Sequence, residues 1–292
     1  MSVVYLEKSD VYATLSTWFY CCFWQLYAAE KSGHVGYVHW PQQHMRSLHP
    51  HQDPVAFARK PNMFDWYCEQ PHWKGEGVPP RDLTWLWENC PETGTYCLMG
   101  QPIEVIRDYF QRNLIFNEEV RQRAQAIADK YAIDFDNTLA LSWRGCDSTD
   151  DGRPRMPIQT YFPFIDEILN ENPGLRIFAT AEEQTIMDPV VNRYPGRVFM
   201  ISEFFSAPLG YKLHSEYVNP VSGFERGMQT CCMISTLSKC KFYIKNRSSM
   251  AMVAAWLSNG HIVNLAHPET GAHGFDITKA EIKGVLRPLP AV

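Results

Sequence analysis

The sequence contains no CxxC pair despite its nine cysteines, so a structural zinc site has no support in it. The cysteine count is odd. The adjacent pairs Cys21-Cys22 and Cys231-Cys232 fall in apolar, helix-like stretches and read as small buried hydrophobes, not as a disulfide framework. Positive charge is in short supply, with 27 Lys and Arg against 32 Asp and Glu and a formal net charge of -5. A phosphate backbone asks for a basic face, so a nucleic-acid-binding role is disfavoured, although a local basic cleft is still allowed. The apolar run Trp18 to Ala29 is broken by Gln25 and is shorter than the ~20 residues that span a bilayer. The start of the chain has no basic n-region, and no repeat or low-complexity tract follows. From these absences we expect a soluble, cytoplasmic protein without a transmembrane segment. The one sequon, Asn246-Arg-Ser248, is read as a chance match.

What the chain does have is a core. It is 292 residues long, 45% hydrophobic and 20% charged. That suits one large domain or two smaller ones of ~100–150 residues each. Ser2 to Leu6 reads as a strand and Tyr12 to Lys31 as a helix apolar nearly all round, stopped by Ser32-Gly33. His34 to Trp40 reads as a second strand. Residues 41 to about 100 look irregular and rich in Pro, His and Trp. Trp66, Trp73, Trp85 and Trp87 either stack on sugar faces or, the preferred reading, cover the core. His44, His49, His51 and His72 have no metal-ligand spacing. Ile103 to Tyr131 has helical spacing in two pieces, with Ile106, Tyr109 and Phe110 on one face, and bridges two expected lobes, 1–131 and 132–292.

From Thr138 the alternation becomes regular. Strands are expected at Thr138–Trp143, Leu175–Thr180, Arg197–Ile201, Lys241–Ile244 and Ile262–Leu265. Helices are expected at Ile158–Asn170, Glu182–Asn192, Glu225–Lys239 and Ser248–Leu257. This is a doubly wound α/β domain with a parallel sheet. Ligands of such sheets bind outside the carboxyl ends of the strands. Three polar stretches fall there: Arg144 to Asp151, Thr180 to Glu183, and Lys245 to Ser249, which opens a helix. Arg144 can fork two hydrogen bonds onto a phosphate, and Gly145 lets backbone and ligand come close. The alternative is a surface ion pair of Arg144 with Asp147. The helix start at Ser248-Ser249 is an anion site or, equally, an ordinary N-cap.

A second pattern competes. Asp134-Phe-Asp136-Asn-Thr138 matches the DxDxT of haloacid-dehalogenase-like phosphatases, in which the first aspartate is the nucleophile and the second the acid/base, with magnesium. The later acidic pair such a site needs is not found at the ends of the following strands.

The ordered features resemble a glycosyltransferase family that includes the nodulation and core α1,6-fucosyltransferases and the protein O-fucosyltransferases. The residues that carry the resemblance are Ser142-Trp-Arg144-Gly-Cys-Asp147, Ala179-Thr180-Ala181-Glu182, Leu237-Ser-Lys-Cys240 and Ser248-Ser249, in that order. The departures are Ser142 in place of a histidine, Gly145 in place of a second arginine, Ala181 in place of an acidic residue, and Met233 near where an aspartate is often found. The resemblance implies a GT-B fold, two Rossmann-like lobes with parallel sheets facing across a cleft. The first lobe, 1–131, would lie on the acceptor side, and the second, 132–292, would bind the nucleotide sugar. It implies an inverting, metal-independent transfer of fucose from GDP-fucose to a glycan or other hydroxyl acceptor, with no cofactor beyond that donor. By the same resemblance Arg144 would neutralise the departing diphosphate; the acceptor proton would go to a carboxylate, for which Asp147 and Asp151 are nearest to Arg144 in sequence, with Glu182 and Glu183 as weaker candidates, the alternative being that these acids are structural or solvated. Ser142, Gly145, Thr180, Glu182, His214, Ser248 and Ser249 would line the substrate. Its rivals are the phosphatase reading and a non-catalytic descendant that binds a nucleotide sugar or glycan.

Overall fold

The computed structural model describes residues 3–7, 15–40, 62–75, 83–86, 101–144, 156–181, 183–204, 222–246 and 248–265. The chain divides into two compact units, Met1–Arg123 with Val221–Cys232, and Ala124–Pro220 with Met233–Val292.

The first unit holds β1 (Val3–Glu7), β2 (Val35–Val38) and β3 (Leu83–Leu86), all parallel, in the order β2-β1-β3. Helix α1 (Leu15–Lys31) is the crossover from β1 to β2. Phe19, Cys22, Phe23, Leu26 and Ala29 are all fully buried, which is why the helix reads as apolar nearly all round. The helix stops where expected. Gly33 takes φ 76°, its N–H donates to Glu30 O at 3.0 Å, and His34 N–H donates to Ala29 O at 2.9 Å, a Schellman turn. Helix α2 (Ile103–Asn113) buries Ile106, Tyr109 and Phe110, with Phe110 stacked on Phe23 at 4.9 Å between ring centroids. Helix α3 (Glu118–Lys130) begins in the first unit and ends in the second.

The expectation of irregular structure from 41 to about 100 is corrected at one place. Leu83–Leu86 is a strand paired with β1. Four residues are too few for alternation to be read from sequence. Trp66 is buried, and Trp73, half-buried, packs on Tyr37, so both serve the core. Trp85 lies in β3, and Trp87, His44, His49 and His51 lie outside the described residues. Among the described residues no helix is long and apolar enough to cross a membrane. Cys22, Cys68, Cys231, Cys232 and Cys240 are buried thiols outside any disulfide.

The second unit holds a five-stranded parallel sheet: β4 (Thr138–Trp143), β5 (Arg176–Ala181), β6 (Val198–Phe199), β7 (Phe242–Lys245) and β8 (His261–Asn264), in the order β6-β5-β4-β7-β8. The chain steps from β4 outward through β5 to β6, then returns past β4 to add β7 and β8 on its other side. The order therefore reverses between β4 and β7. Helix α4 (Phe162–Glu171) and helix α5 (Asp188–Arg193), each led in by a 3-10 turn, cover one face of the sheet. That face buries Leu139, Leu141, Trp143, Ile177, Ala179, Ile244 and Val263 against Ile165, Ile168, Val190 and Tyr194. In-register neighbours share a face, so the opposite face carries Ala140, Ser142, Phe178, Thr180, Tyr243, Lys245, Ile262 and Asn264. Helix α6 (Gly223–Lys239), which also spans both units, touches this face where Met233 Sδ meets Thr180 Oγ1 at 3.5 Å. Helix α7 (Ser249–Leu257) joins β7 to β8. Gly260, in the turn after it, is required: a Cβ there would sit 2.4 Å from Cys240 O and 2.7 Å from Lys241 O.

Candidate functional site

Arg144 is the first residue past β4, as the apolar run and its charged end led us to expect. It is half-buried. Its main chain is held from the end of β7. Arg144 N–H donates to Asn246 Oδ1 at 3.0 Å, and Asn246 Nδ2 donates to Arg144 O at 2.8 Å. The last backbone rung between the two strands pairs Ser142 with Lys245, and the Asn246 amide supplies the next one from a side chain. Asn246 is 3% exposed. The sequon asparagine is thus an interior hydrogen-bonding group.

Behind Arg144 lies a row of four polar residues, one from each of four neighbouring strands. Thr180, Ser142, Lys245 and Asn264 are aligned across β5, β4, β7 and β8, and all are buried. Lys245 Nζ donates to Asn264 Oδ1 at 2.9 Å. Ser142 Oγ and Tyr243 Oη share a hydrogen bond of 2.7 Å, and Tyr161 Oη donates to Ser142 O at 2.7 Å. Burial pushes the pKa of both phenols up, so they remain protonated donors at neutral pH. A buried ammonium costs several kcal/mol in lost hydration. An amide oxygen offsets part of this, and an anion at the same edge offsets more.

Ser248 takes up the capping role that one of its two readings gave it. It is the N-cap of α7, with extended backbone (φ -164°, ψ 137°), and its Oγ accepts from Ala251 N at 3.5 Å. Ser249, 3% exposed, is the first helical residue. Only one residue separates Asn246, in contact with Arg144, from the Ser248 cap. The end of β4 and the start of α7 are therefore neighbours, at the point where strand order reverses. Cationic side chains and a helix N-terminus at the carboxyl edge of a parallel sheet suit an anion with several oxygens.

No protein-family model matches the chain, and no curated protein does. Solved structures do. The fucosyltransferase NodZ from Bradyrhizobium aligns over 88% of this chain and 93% of its own, with a TM-score of 0.50 and 14% identity. A variant of FUT1 from Arabidopsis thaliana in complex with GDP aligns over 93% of this chain and 72% of its own, with a TM-score of 0.51 and 10% identity. The chain has a fucosyltransferase-like GT-B fold. This likeness carries the architecture.

In this GT-B fold the residues singled out from sequence do not all come together. Arg144, Ser248 and Ser249 are brought to one edge of the five-stranded sheet. Ser142 and Thr180 are in the same row but engaged in the interior, with Tyr243 and Met233. Gly145, Asp147, Asp151, Glu182 and His214 lie outside the described residues. Glu183 is fully buried at the head of the turn after β5. Asp134 and Asp136 are exposed at the amino end of β4, where Asp134 caps a 3-10 turn by accepting from Asp136 N at 3.2 Å and Asn137 Nδ2 at 2.7 Å. Six strand residues, or about 20 Å, separate them from the edge where Arg144 lies. A phosphatase nucleophile belongs at the carboxyl edge, so the DxDxT match is a capped turn. Lys245 and Asn246 fell within the polar stretch Lys245 to Ser249 but were given no role of their own, and sequence reasoning left Asn264 inside the last strand, where its signal was a polar residue near the end of an otherwise apolar run.

Proposed function

We propose that this protein is a glycosyltransferase that moves fucose from GDP-fucose to a hydroxyl acceptor on a glycan, with inversion and without a metal ion. The observation that carries this reading is the pair of hydrogen bonds between Asn246 and the main chain of Arg144. They bring the arginine and the α7 N-terminus to one spot at the switch point of a sheet whose fold is shared with a GDP-bound enzyme. In the reaction the bond between the sugar anomeric carbon and the diphosphate breaks, and negative charge builds on the leaving phosphate. The Arg144 guanidinium and the positive end of α7 stabilise that charge, and Lys245 adds a second cation from beneath. Preorganised charge of this kind does the work that a divalent ion does in other transferases. The acceptor hydroxyl loses its proton to a carboxylate, for which Asp147 and Asp151 are the candidates nearest Arg144 in sequence.

A second reading has its own observation. Ser142 stands where the resembled family has a histidine, and its hydroxyl is sealed in a bond to Tyr243. A chain that binds a nucleotide sugar without turning it over would tolerate this. The two readings separate in one experiment. Protein is incubated with GDP-fucose, and free GDP is measured while donor binding is followed by the rise in melting temperature. Release of GDP supports the transferase, and binding without release supports the module. No binding of GDP or GDP-fucose overturns both.

A further inference from the structure

We infer that Asn246 is the positioning residue of Arg144, the group that turns a flexible arginine at a strand end into a fixed diphosphate ligand; this rests on the reading of Arg144 given above. The inference comes from where the sheet stops. Main-chain pairing between β4 and β7 ends at Ser142 and Lys245. Arg144 lies beyond that rung, where a strand end ordinarily frays and its peptide groups turn to water or ligand. Here both are taken by one side chain: the N–H by Asn246 Oδ1 and the C=O by Asn246 Nδ2, at 3.0 and 2.8 Å.

The chemistry asks for asparagine. It offers an acceptor and a donor in one plane, one bond past Cβ. Aspartate keeps the acceptor but has no proton for Arg144 O. Threonine offers a single atom, and glutamine sets its amide one methylene farther out. Because Asn246 is 3% exposed, its amide serves Arg144 and not a ligand. Because the Arg144 N–H is already engaged, the residue meets a ligand through its guanidinium. Asn246 is also two residues from the α7 cap, so the same side chain ties the Arg144 main chain to the chain that leads into that helix. The two arms of the anion site are thereby built as one piece.

The test is a double-mutant cycle on the full chain, read by calorimetric titration with GDP and with guanosine. Asn246→Ala is expected to weaken GDP binding about tenfold, the equivalent of 1.4 kcal/mol, and to leave guanosine binding unchanged. In an Arg144→Ala background the same substitution should change GDP affinity less than about twofold, because its effect passes through the arginine. An equal loss in both backgrounds, or an equal loss for guanosine and GDP, overturns the inference, since either result marks a merely structural role. If Asn246→Ala fails to fold, Asn246→Thr, which offers one atom in place of two and adds no charge, carries the same cycle. A wild-type chain that binds no GDP overturns the proposed function itself. A wild-type chain that binds GDP, with Asn246→Ala binding it equally well, overturns only the role of Asn246.

Discussion

Lys245 and Asn264 close adjacent strands at the same level, and the lysine Nζ donates to the asparagine Oδ1 at 2.9 Å in a buried setting. A methionine of similar length would pack there without the desolvation cost of a buried cation, and an anion at this edge would offset that cost. Lys245→Met should therefore keep a folded chain while weakening GDP binding by about 1.5–3 kcal/mol, the range for a hydrogen bond to a charged group. Titration of GDP into the refolding-competent variant checks this. Unaltered affinity would assign Lys245 to the sheet alone.

The bond between Ser142 and Tyr243 makes a different claim, that Ser142 supports the site without entering it. Ser142→Ala and Tyr243→Phe each strand a buried hydroxyl and should each cost about 1–3 kcal/mol in urea unfolding. The double variant removes both partners at once. It should be less destabilised than the sum of the two, with a coupling of at least about 0.5 kcal/mol. GDP affinity should stay within about twofold in all three. A selective loss of GDP binding in Ser142→Ala would return that hydroxyl to the ligand.

Much of this was legible before any coordinates. Thr138 to Trp143 is apolar or β-favouring throughout and ends in a charge, so both the strand and the position of Arg144 could be read directly. Gly33 announced the end of α1. Other features depended on contacts that no local pattern carries. Asn246 is 102 residues from Arg144, and only the return of the chain past β4 brings them together. The strand expected at Lys241–Ile244 is Phe242–Lys245. A shift of one residue at each end moved Lys245 from the loop into the polar row. At Ser248 the anion and cap readings were equivalent on composition, and the hydrogen bond from Ala251 N gave the capping role. β3 was missed because four residues do not reveal a period.

The second unit also carries an acid-sensitive tie. Glu203 is placed against Lys130 and Tyr131, with Tyr131 Oη donating to Glu203 Oε2 at 2.6 Å. Partial burial pushes its carboxyl up, but the hydrogen bonds from Lys130 and Tyr131 outweigh this and bring it from 4.5 down to about 2. A carboxylate whose folded value is depressed stabilises the fold fully above its unfolded value and loses that contribution as pH falls toward the folded one. Stability should therefore decline between about pH 4.5 and pH 2, and Glu203→Gln should flatten part of that decline. Urea unfolding across the window, with added salt reducing the difference because Lys130 is largely exposed, measures it. Identical pH profiles for wild type and Glu203→Gln would remove the tie from the acid response.

The sharpest prediction concerns the geometry of Arg144 and not its charge alone. With its main chain pinned by Asn246, the guanidinium projects from a fixed origin and can place two parallel N–H groups on neighbouring phosphate oxygens. A lysine carries the same charge as a single point on a flexible stem and cannot make that fork. Arg144→Ala should weaken GDP binding by about 1.5–3 kcal/mol. Arg144→Lys should lie nearer to Ala than to wild type, and guanosine should bind all three alike. GDP released from GDP-fucose should fall in parallel, since in the proposed reaction the same fork would face the charge that grows on the leaving diphosphate. If Arg144→Lys retains wild-type affinity and turnover, charge alone suffices, and the pinned main chain serves the sheet and not the ligand.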